Sequence, residues 1–385
     1  MKKKIMVLTG SRAEYGILKN ILIAIQASEE LELYLVVTGT HLLPQYGYTV
    51  NEIKNDGLPI WKEIPVESKL SDMVRIPIEM GNLMIHLSEI FAESRPDVLL
   101  LLGDRYEMLA AASVATGMQL PIAHISGGES TEGAMDEQIR HAITKMAHIH
   151  FPGASAYADN IRKMGEESWR IFDVGDPGIE NIKIIKIEEK ADLEDELGLK
   201  IDRRTLLITY HPVTLELSAL GWQMDNLINA LSNYTGSMIV TYPNSDNGSE
   251  LIIRKWKEFA KRKKTVRLVQ NLGSVRYISV MKYCGAIIGN SSSAIVEAPF
   301  MKVPVVNIGN RQQGRIMADS IICCGYSQQE IEDSIERALS IEFAEVVKNS
   351  KSLYGQGNTS EKIVEVLEKI KVDEKLLKKK LCWVG

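Results

Sequence analysis

Apolar residues in this chain follow two rhythms. Short runs rich in Val, Ile and Leu alternate with longer stretches in which apolar positions return every three or four residues. The short runs, bounded by turn residues, read as buried strands, and the longer periodic stretches as amphipathic helices. Their alternation predicts an α/β protein whose parallel strands are joined by crossover helices. Strands are expected over 5–9, 33–38, 98–102, 122–125 and 171–174, and again over 206–210, 238–241, 266–269, 287–288 and 303–307. The run Val98-Leu-Leu-Leu-Leu102 has no in–out alternation, so helices should cover both faces of such strands. Two sets of strands in 385 residues suggest two Rossmann-like domains. Turn residues at 174–178, followed by the charged stretch 188–204, mark the expected hinge. Periodicity over 361–371 predicts a further helix, and the basic tail 376–381 reads as a packed or frayed surface turn, too short for membrane binding.

Charge narrows the function classes. Lys and Arg total 45 against 50 Asp and Glu, a net charge of −5, which excludes holding nucleic acid by bulk charge. An anionic ligand must therefore be met by local basic groups. The apolar run 5–8 is too short for a signal peptide, and no stretch approaches the ~18 apolar residues of a membrane span. Four cysteines without a CxxC pair fit a reduced cytoplasmic protein.

Ligands of open parallel sheets bind beyond the carboxyl ends of the strands, so polar residues directly after strands carry the most information. The first such loop is Thr9-Gly-Ser-Arg-Ala-Glu-Tyr-Gly16. Gly10 permits a tight turn and Arg12 adds a fork of donors to a helix N-terminus, which suits a phosphate; an ordinary turn with a surface arginine fits equally. In Gly103-Asp104-Arg105-Tyr106-Glu107, Asp104 either caps the next helix or is a carboxylate aimed into a cleft. His124-Ile-Ser126-Gly127-Gly128-Glu129 then leads to Asp136-Glu137-Gln-Ile-Arg140. Asp136 and Arg140, four apart on a helix, could be a plain surface pair. Alternatively Asp104, Glu129, Asp136 and Glu137 converge above one sheet edge, where crowding raises carboxylate pKa values and lets one act as acid while another stays a base.

In the second half, His211 stands at a strand end before Pro212, and Gly289-Asn-Ser291-Ser292-Ser293 opens a helix after a buried strand. Those serines either cap the helix or cradle a diphosphate, with Glu297 placed to take a ribose diol. No metal-ligand spacing is evident, and the absence of GxGxxG after a strand argues against a nicotinamide-dependent epimerase.

These loops, with Tyr210-His-Pro-Val-Thr214, Pro243-Asn-Ser-Asp-Asn-Gly248 and the block 124–145, resemble the UDP-N-acetylglucosamine 2-epimerase family over nearly the whole chain. The block 124–145 is similar to the hydrolysing branch, which makes N-acylmannosamine-type sugars for sialic and related nonulosonic acids. The resemblance implies a GT-B-type arrangement: a first Rossmann-like domain, 1–174, with the catalytic carboxylates; a nucleotide-binding domain, 175–355; and a C-terminal helix, 356–385, packing back on the first. Substrate would lie in the interdomain cleft, with closure about 174–178 on UDP binding. It implies no cofactor and no metal, UDP-sugar as substrate and UDP as product, and a homodimer or homotetramer.

For the site, the resemblance implies catalytic roles for Asp104, Glu129, Asp136 and His211. Substrate contacts fall to Arg12, Arg105, Ser126, Glu137, Arg140, Ser291, Ser292, Glu297 and Arg311. UDP would leave in an elimination that removes the sugar C2 proton, and water would add to the resulting glycal with C2 inverted. Two positions depart from the family pattern: Ile17 stands where a lysine is common, and Ser126 where many relatives carry a catalytic carboxylate. The reaction expected is UDP-GlcNAc plus water to ManNAc plus UDP. A neutral, smaller Ser126 makes room for the alternative, a UDP-2,4-diacetamido-2,4,6-trideoxyhexose. A glycosyltransferase of the same architecture, or a sugar-nucleotide sensor without catalysis, are the rivals from other classes.

Overall fold

A computed structural model describes residues 2–44, 47–66, 72–130, 135–243 and 248–382. The chain divides into two compact units, Met1–Asn181 with Tyr354–Gly385, and Ile182–Leu353. The first alternates strand and helix: β1 (Lys3–Thr9), α1 (Arg12–Ala27), β2 (Leu31–Val37), α2 (Val50–Asn55), β3 (Ile60–Glu63), α3 (Asp72–Ser94), β4 (Val98–Leu102), α4 (Tyr106–Gly117), β5 (Ile122–Ile125), α5 (Met135–Met146), β6 (Ile149–Phe151) and α6 (Ser155–Lys163). Its sheet is parallel with the order β3-β2-β1-β4-β5-β6. Val98, Leu100 and Leu102 enter one core and Leu99 and Leu101 the core on the opposite face. Helices thus cover both sides of β4, as its unbroken apolar run requires.

After α7 (Pro177–Ile184), the second unit contains α8 (Lys190–Leu197), β7 (Leu206–Thr209), α9 (Leu220–Ser232), β8 (Met238–Thr241), α10 (Ser249–Arg262), β9 (Val266–Val269), α11 (Gly273–Tyr283), β10 (Ala286–Gly289), α12 (Ser292–Phe300), β11 (Val305–Ile308), β12 (Ile321–Cys324), α13 (Gln328–Ala338) and α14 (Ile341–Asn349). The order β12-β11-β10-β7-β8-β9 repeats the first sheet's topology, again parallel. The chain then returns to the first unit as α15 (Thr359–Lys369) and α16 (Glu374–Leu377). Ile363 and Leu367 of α15 share a core with Leu18, Ile21 and Leu22 of α1.

The sheets hold six strands each where five were expected. β3 and β12 are edge strands, and β6 is only three residues long with a histidine at its centre. The segment 171–174 is not a strand: it makes one bridge, Ile171 to His150. Its backbone is instead engaged from the C-terminal side, with Thr359 Oγ1 donating to Val174 O and the amide of Asp176 to Tyr354 O. The turn 174–178 therefore lies inside the first unit, and the charged stretch 188–204 contains α8, Lys190–Leu197, whose Leu193 and Leu197 are buried. The tail turn α16 is anchored, not frayed: Asp373 caps it and Leu376 is buried.

Strand order reverses between β1 and β4 in the first unit and between β7 and β10 in the second. Loops at the carboxyl ends of such strand pairs diverge and leave a crevice for ligand. All the polar loops singled out in the sequence follow β1, β4, β5, β7 or β10, except 243–248, of which 244–247 lie outside the described residues.

Candidate active site

In the first unit, Ser11 caps α1: its hydroxyl accepts the Glu14 N–H and donates to Glu14 Oε2 at 3.0 Å. Glu14 Oε2 also accepts the Gly10 amide at 3.0 Å, while Oε1 is buried without a partner. Burial pushes Glu14 up to about 7, with Glu107 adding to the rise and Arg105 opposing it. Arg105 is committed to Glu107 by two bonds, Nε–Oε2 at 3.2 Å and Nη2–Oε1 at 2.9 Å, and lies 3.8 Å from Glu14. A side chain at Gly10 would sit 3.1 Å from Glu107 Oε1 and 3.3 Å from Glu14 Oε2, so glycine there makes room for two carboxylates. Arg12, at the start of α1, is exposed and pairs with Glu52 at 3.1 Å.

Asp104 does not cap α4, whose N-cap is Arg105. It pairs with Arg140 of α5, a guanidinium only 3 % exposed. Arg140 Nη1 also donates to Glu129 O at 3.1 Å and to Glu137 Oε2 at 3.2 Å. Glu137 Oε1 in turn accepts Ser130 Oγ at 2.9 Å and faces His141 Nε2 at 3.0 Å. One buried cation thus gathers Asp104, Glu137 and the Glu129 backbone, and Asp136 stands exposed on the same helix one turn before it. This fits a site in which some carboxylates are fixed by the arginine and others face solvent and substrate.

Three further features lock this cluster. Ser126 has φ +62° and donates its amide to Phe151 O, so the chain turns sharply at the end of β5. At Gly128, φ +77°, a Cβ would lie 2.4 Å from Tyr157 O, and Asn160 Nδ2 donates to the Gly128 carbonyl at 2.9 Å. His124 is fully buried between Gly103 O, 2.8 Å from Nε2, and Thr144 Oγ1, 3.2 Å from Nδ1. Burial pulls its pKa to about 3, so the ring is neutral. Gly103 O can only accept, which assigns the proton to Nε2, while the one Thr144 hydroxyl proton lies between Arg140 O at 2.8 Å and Nδ1 at 3.2 Å.

In the second unit, Asn290 joins the two loops at the strand-order reversal. Its Oδ1 accepts the His211 amide at 2.7 Å and its Nδ2 donates to the His211 carbonyl at 2.9 Å. Its own carbonyl accepts Arg311 Nη1 at 3.0 Å and Gln312 Nε2 at 2.8 Å. At Gly289, φ +135°, a Cβ would lie 1.9 Å from Thr209 O. Ser291 is the N-cap of α12 but makes no side-chain capping bond, and Ser292 is exposed. Their hydroxyls and the free N–H groups of the helix start suit an anion. Ser293 donates to Glu297. Burial, then Arg311, lowers the His211 ring to about 4. It is therefore a neutral N–H donor at pH 7, and Arg311 carries the positive charge here.

The structure brings Asp104, Glu129, Glu137 and Arg140 together, with Asp136 and Ser126 on the adjoining helix and loop. His211, Ser291, Ser292, Glu297 and Arg311 form a second group in the other unit. The sequence reading missed Glu14, Glu107, His124, Thr144 and Asn290 as site residues. The signal for His124 and Asn290 was their place at the ends of β5 and β10, and the signal for Glu14 and Glu107 a carboxylate in the first turn after such a strand. Among the described residues no group of three or more His, Cys, Asp or Glu is placed to hold a metal ion, and no helix is long and apolar enough to cross a membrane.

A family model described as UDP-N-acetylglucosamine 2-epimerase matches residues 23–368. The chain is 38% identical over 344 residues, 89% of each chain, to the GDP/UDP-N,N'-diacetylbacillosamine 2-epimerase (hydrolyzing) of Campylobacter jejuni. It is 35% identical over 379 residues, covering 98% of this chain and 99% of the relative, to the UDP-N,N'-diacetylbacillosamine 2-epimerase (hydrolyzing) of Legionella pneumophila. Among solved structures, the UDP-GlcNAc 2-epimerase of Neisseria meningitidis bound to UDP-GlcNAc superposes with a TM-score of 0.79 at 19% identity, over 95% of this chain and all of that one. That likeness is one of fold.

Proposed function

The chain belongs to the UDP-N-acetylglucosamine 2-epimerase family, as an enzyme of its hydrolysing branch, and from that premise we propose that it converts a UDP-2,4-diacetamido-2,4,6-trideoxyhexose and water into UDP and the free, C2-inverted sugar. The observation that carries this choice of sugar is Ser126. Its side chain is short and neutral and stands three residues before Glu129, and two relatives that share over a third of their residues with this chain are named for diacetylbacillosamine. UDP-GlcNAc is the second reading, supported by the description of the family model that matches the chain.

The residues supply what the reaction needs. A carboxylate removes the C2 proton as the C1–O bond breaks and UDP departs with the bonding pair, leaving a glycal. Water then adds its oxygen to C1 while a carboxylic acid delivers a proton to C2 from the opposite face. Asp104, Glu129 and Asp136 are assigned to proton transfer and to stabilising positive character at C1. Arg140 binds and orients Asp104, and Asp136, in the first turn of α5, is exposed to solvent. Ser291, Ser292, Arg311 and the neutral His211 of the second unit are assigned to the diphosphate, whose negative charge grows as the bond breaks, and Arg12 to a substrate contact in the first.

Incubation with each UDP-sugar in heavy water, followed by NMR, tests this. Free sugar of manno configuration with deuterium at C2, formed faster from the diacetamido donor, is the expected result. Faster turnover of UDP-GlcNAc overturns the choice of sugar, and release of UDP only when an acceptor is added overturns the epimerase reading in favour of a glycosyltransferase.

A further inference from the structure

The basic tail lies outside the site described above, yet it reaches the far end of the helix that carries the carboxylates. Arg170, fully buried, gathers three tail carbonyls: Nη1 donates to Leu376 O at 2.8 Å, and Nη2 to Lys375 O and Lys378 O, both at 3.1 Å. The Lys375 ammonium stands 4.8 Å from the Trp169 ring centre, and the Cys382 amide donates to Gly165 O at 2.9 Å. Held in this way, the tail delivers Lys379 beneath α5. Lys379 Nζ donates to Lys145 O at 2.6 Å and Ala147 O at 2.5 Å, and pairs with Glu166 Oε2 at 2.8 Å.

Carbonyls in the last turn of a helix lack intrahelical donors and carry partial negative charge, so an ammonium there satisfies them and complements the dipole. Glu166 is the second anchor. Burial alone would raise its pKa, but His150 at 3.2 Å, Lys145 at 2.5 Å and Lys379 hold it down at about 2. It therefore stays ionised at every working pH and fastens α5, β6 and the tail to one point.

We propose that Lys379 is a positioning residue for the reaction, fixing through α5 where Asp136, Glu137 and Arg140 stand. A helix transmits such an anchor because each residue advances it by ~1.5 Å along a stiff axis. Thr144, next to Lys145, already ties the same helix to His124 and so to the Asp104 loop. Displacement of reacting groups by about 1 Å costs on the order of 100-fold in rate. The expectation about turnover rests on the epimerase reading; the anchoring of α5 does not.

The test uses full-length Lys379→Met, Lys379→Arg and Lys378→Met proteins, with kcat, KM and amide exchange over 135–147 measured for each. Lys379→Met should lower kcat by about tenfold or more with KM within about twofold, because no substrate group needs to touch Lys379, and should speed exchange in α5 by a similar factor. Lys379→Arg, which keeps donors and charge, should recover most of the kcat. Lys378→Met removes the same charge from the exposed neighbour and should match the wild type. Should Lys379→Met not fold, Lys379→Gln, which keeps a donor without the charge, takes its place with a smaller loss expected. Wild-type kcat with unchanged exchange in α5 overturns the proposal, as does an equal loss in Lys378→Met. A wild-type protein that turns over neither UDP-sugar overturns the functional reading, and the exchange comparison alone then decides whether Lys379 anchors α5.

Discussion

The imidazole of His124 donates to the carbonyl of Gly103 at 2.8 Å, and through it sets the backbone that carries Asp104. Its other nitrogen meets Thr144, so one neutral ring couples the loop after β4 to α5. His124→Ala should lower kcat by about 100-fold with a much smaller change in KM. His124→Gln can place an amide N–H near Nε2 and should recover part of that loss. Equal effects of both variants on kcat would show that the Gly103 bond is not what matters.

Asp136 and Arg140 share a helix but differ in environment, which separates an activity effect from a stability effect. Asp136 is exposed, so Asp136→Asn should leave the melting temperature nearly unchanged while lowering kcat by about 100-fold or more, the range for a lost acid–base group. Arg140→Met strands Asp104 and Glu137 beside a buried void and should cost about 3–5 kcal/mol in urea unfolding. Near-normal turnover of Asp136→Asn would remove that residue from the chemistry.

Buried histidines give a sign to the pH dependence of stability. Burial lowers His41 and His211 to about 4 and His124 to about 3, while in the unfolded chain each titrates near 6.5. Between those values the unfolded state binds more protons than the native state, so the stability these groups provide is present above pH ~6.5 and lost as pH falls toward 4. Urea midpoints should drop steeply over that window; a flat profile would mean that the rings are charged inside the protein.

Glu14 works in the opposite direction. Its carboxyl is raised to about 7 against 4.5 in the unfolded chain, so the native state holds the extra proton and loses stability as pH rises from 4.5 through 7. Glu14→Gln keeps an acceptor for the Gly10 amide without the charge, and should stabilise the protein at pH 8 by an amount on the order of 2–3 kcal/mol while having little effect at pH 5. Equal stabilisation at both pH values would contradict a proton held at Glu14.

Ser126 sits at φ +62°, a conformation that Asp and Asn adopt more readily than other residues with a side chain. Ser126→Asp should therefore fold, and should shift the ratio of kcat/KM for UDP-GlcNAc over the diacetamido donor upward by about tenfold, comparable to the selectivity one pocket group provides. An unchanged ratio would place sugar selection elsewhere.

Much of the fold was legible because unbroken apolar runs such as 5–8 and 98–102 have few other uses than a covered strand. β6 was not, since three residues with His150 at the centre carry no periodicity, and β3, Ile60-Trp-Lys-Glu, is a half-exposed edge. The segment 171–174 shows the converse: β-forming residues without a neighbour to pair with along their length. At the site, the residue types and their loops could be read, but partners could not. Arg140 lies 36 residues from Asp104 in sequence, so helical spacing pointed to Asp136 as its natural mate. Lys379 is still farther from the helix it touches, and nothing local in Leu376-Leu-Lys-Lys-Lys-Leu distinguishes it from its neighbours.

The bonds from Asn290 to both the amide and the carbonyl of His211 make the two loops after β7 and β10 a single rigid piece. Arg311 and Gln312 are tied to the same asparagine. The entropy lost in ordering these loops is therefore spent when the unit folds, and a ligand that docks there has no such loss to offset. On the assignment proposed above, affinity for the nucleotide half of the substrate then depends on contacts already in place, which leaves the energy of binding the sugar available to be used at the reacting carbons.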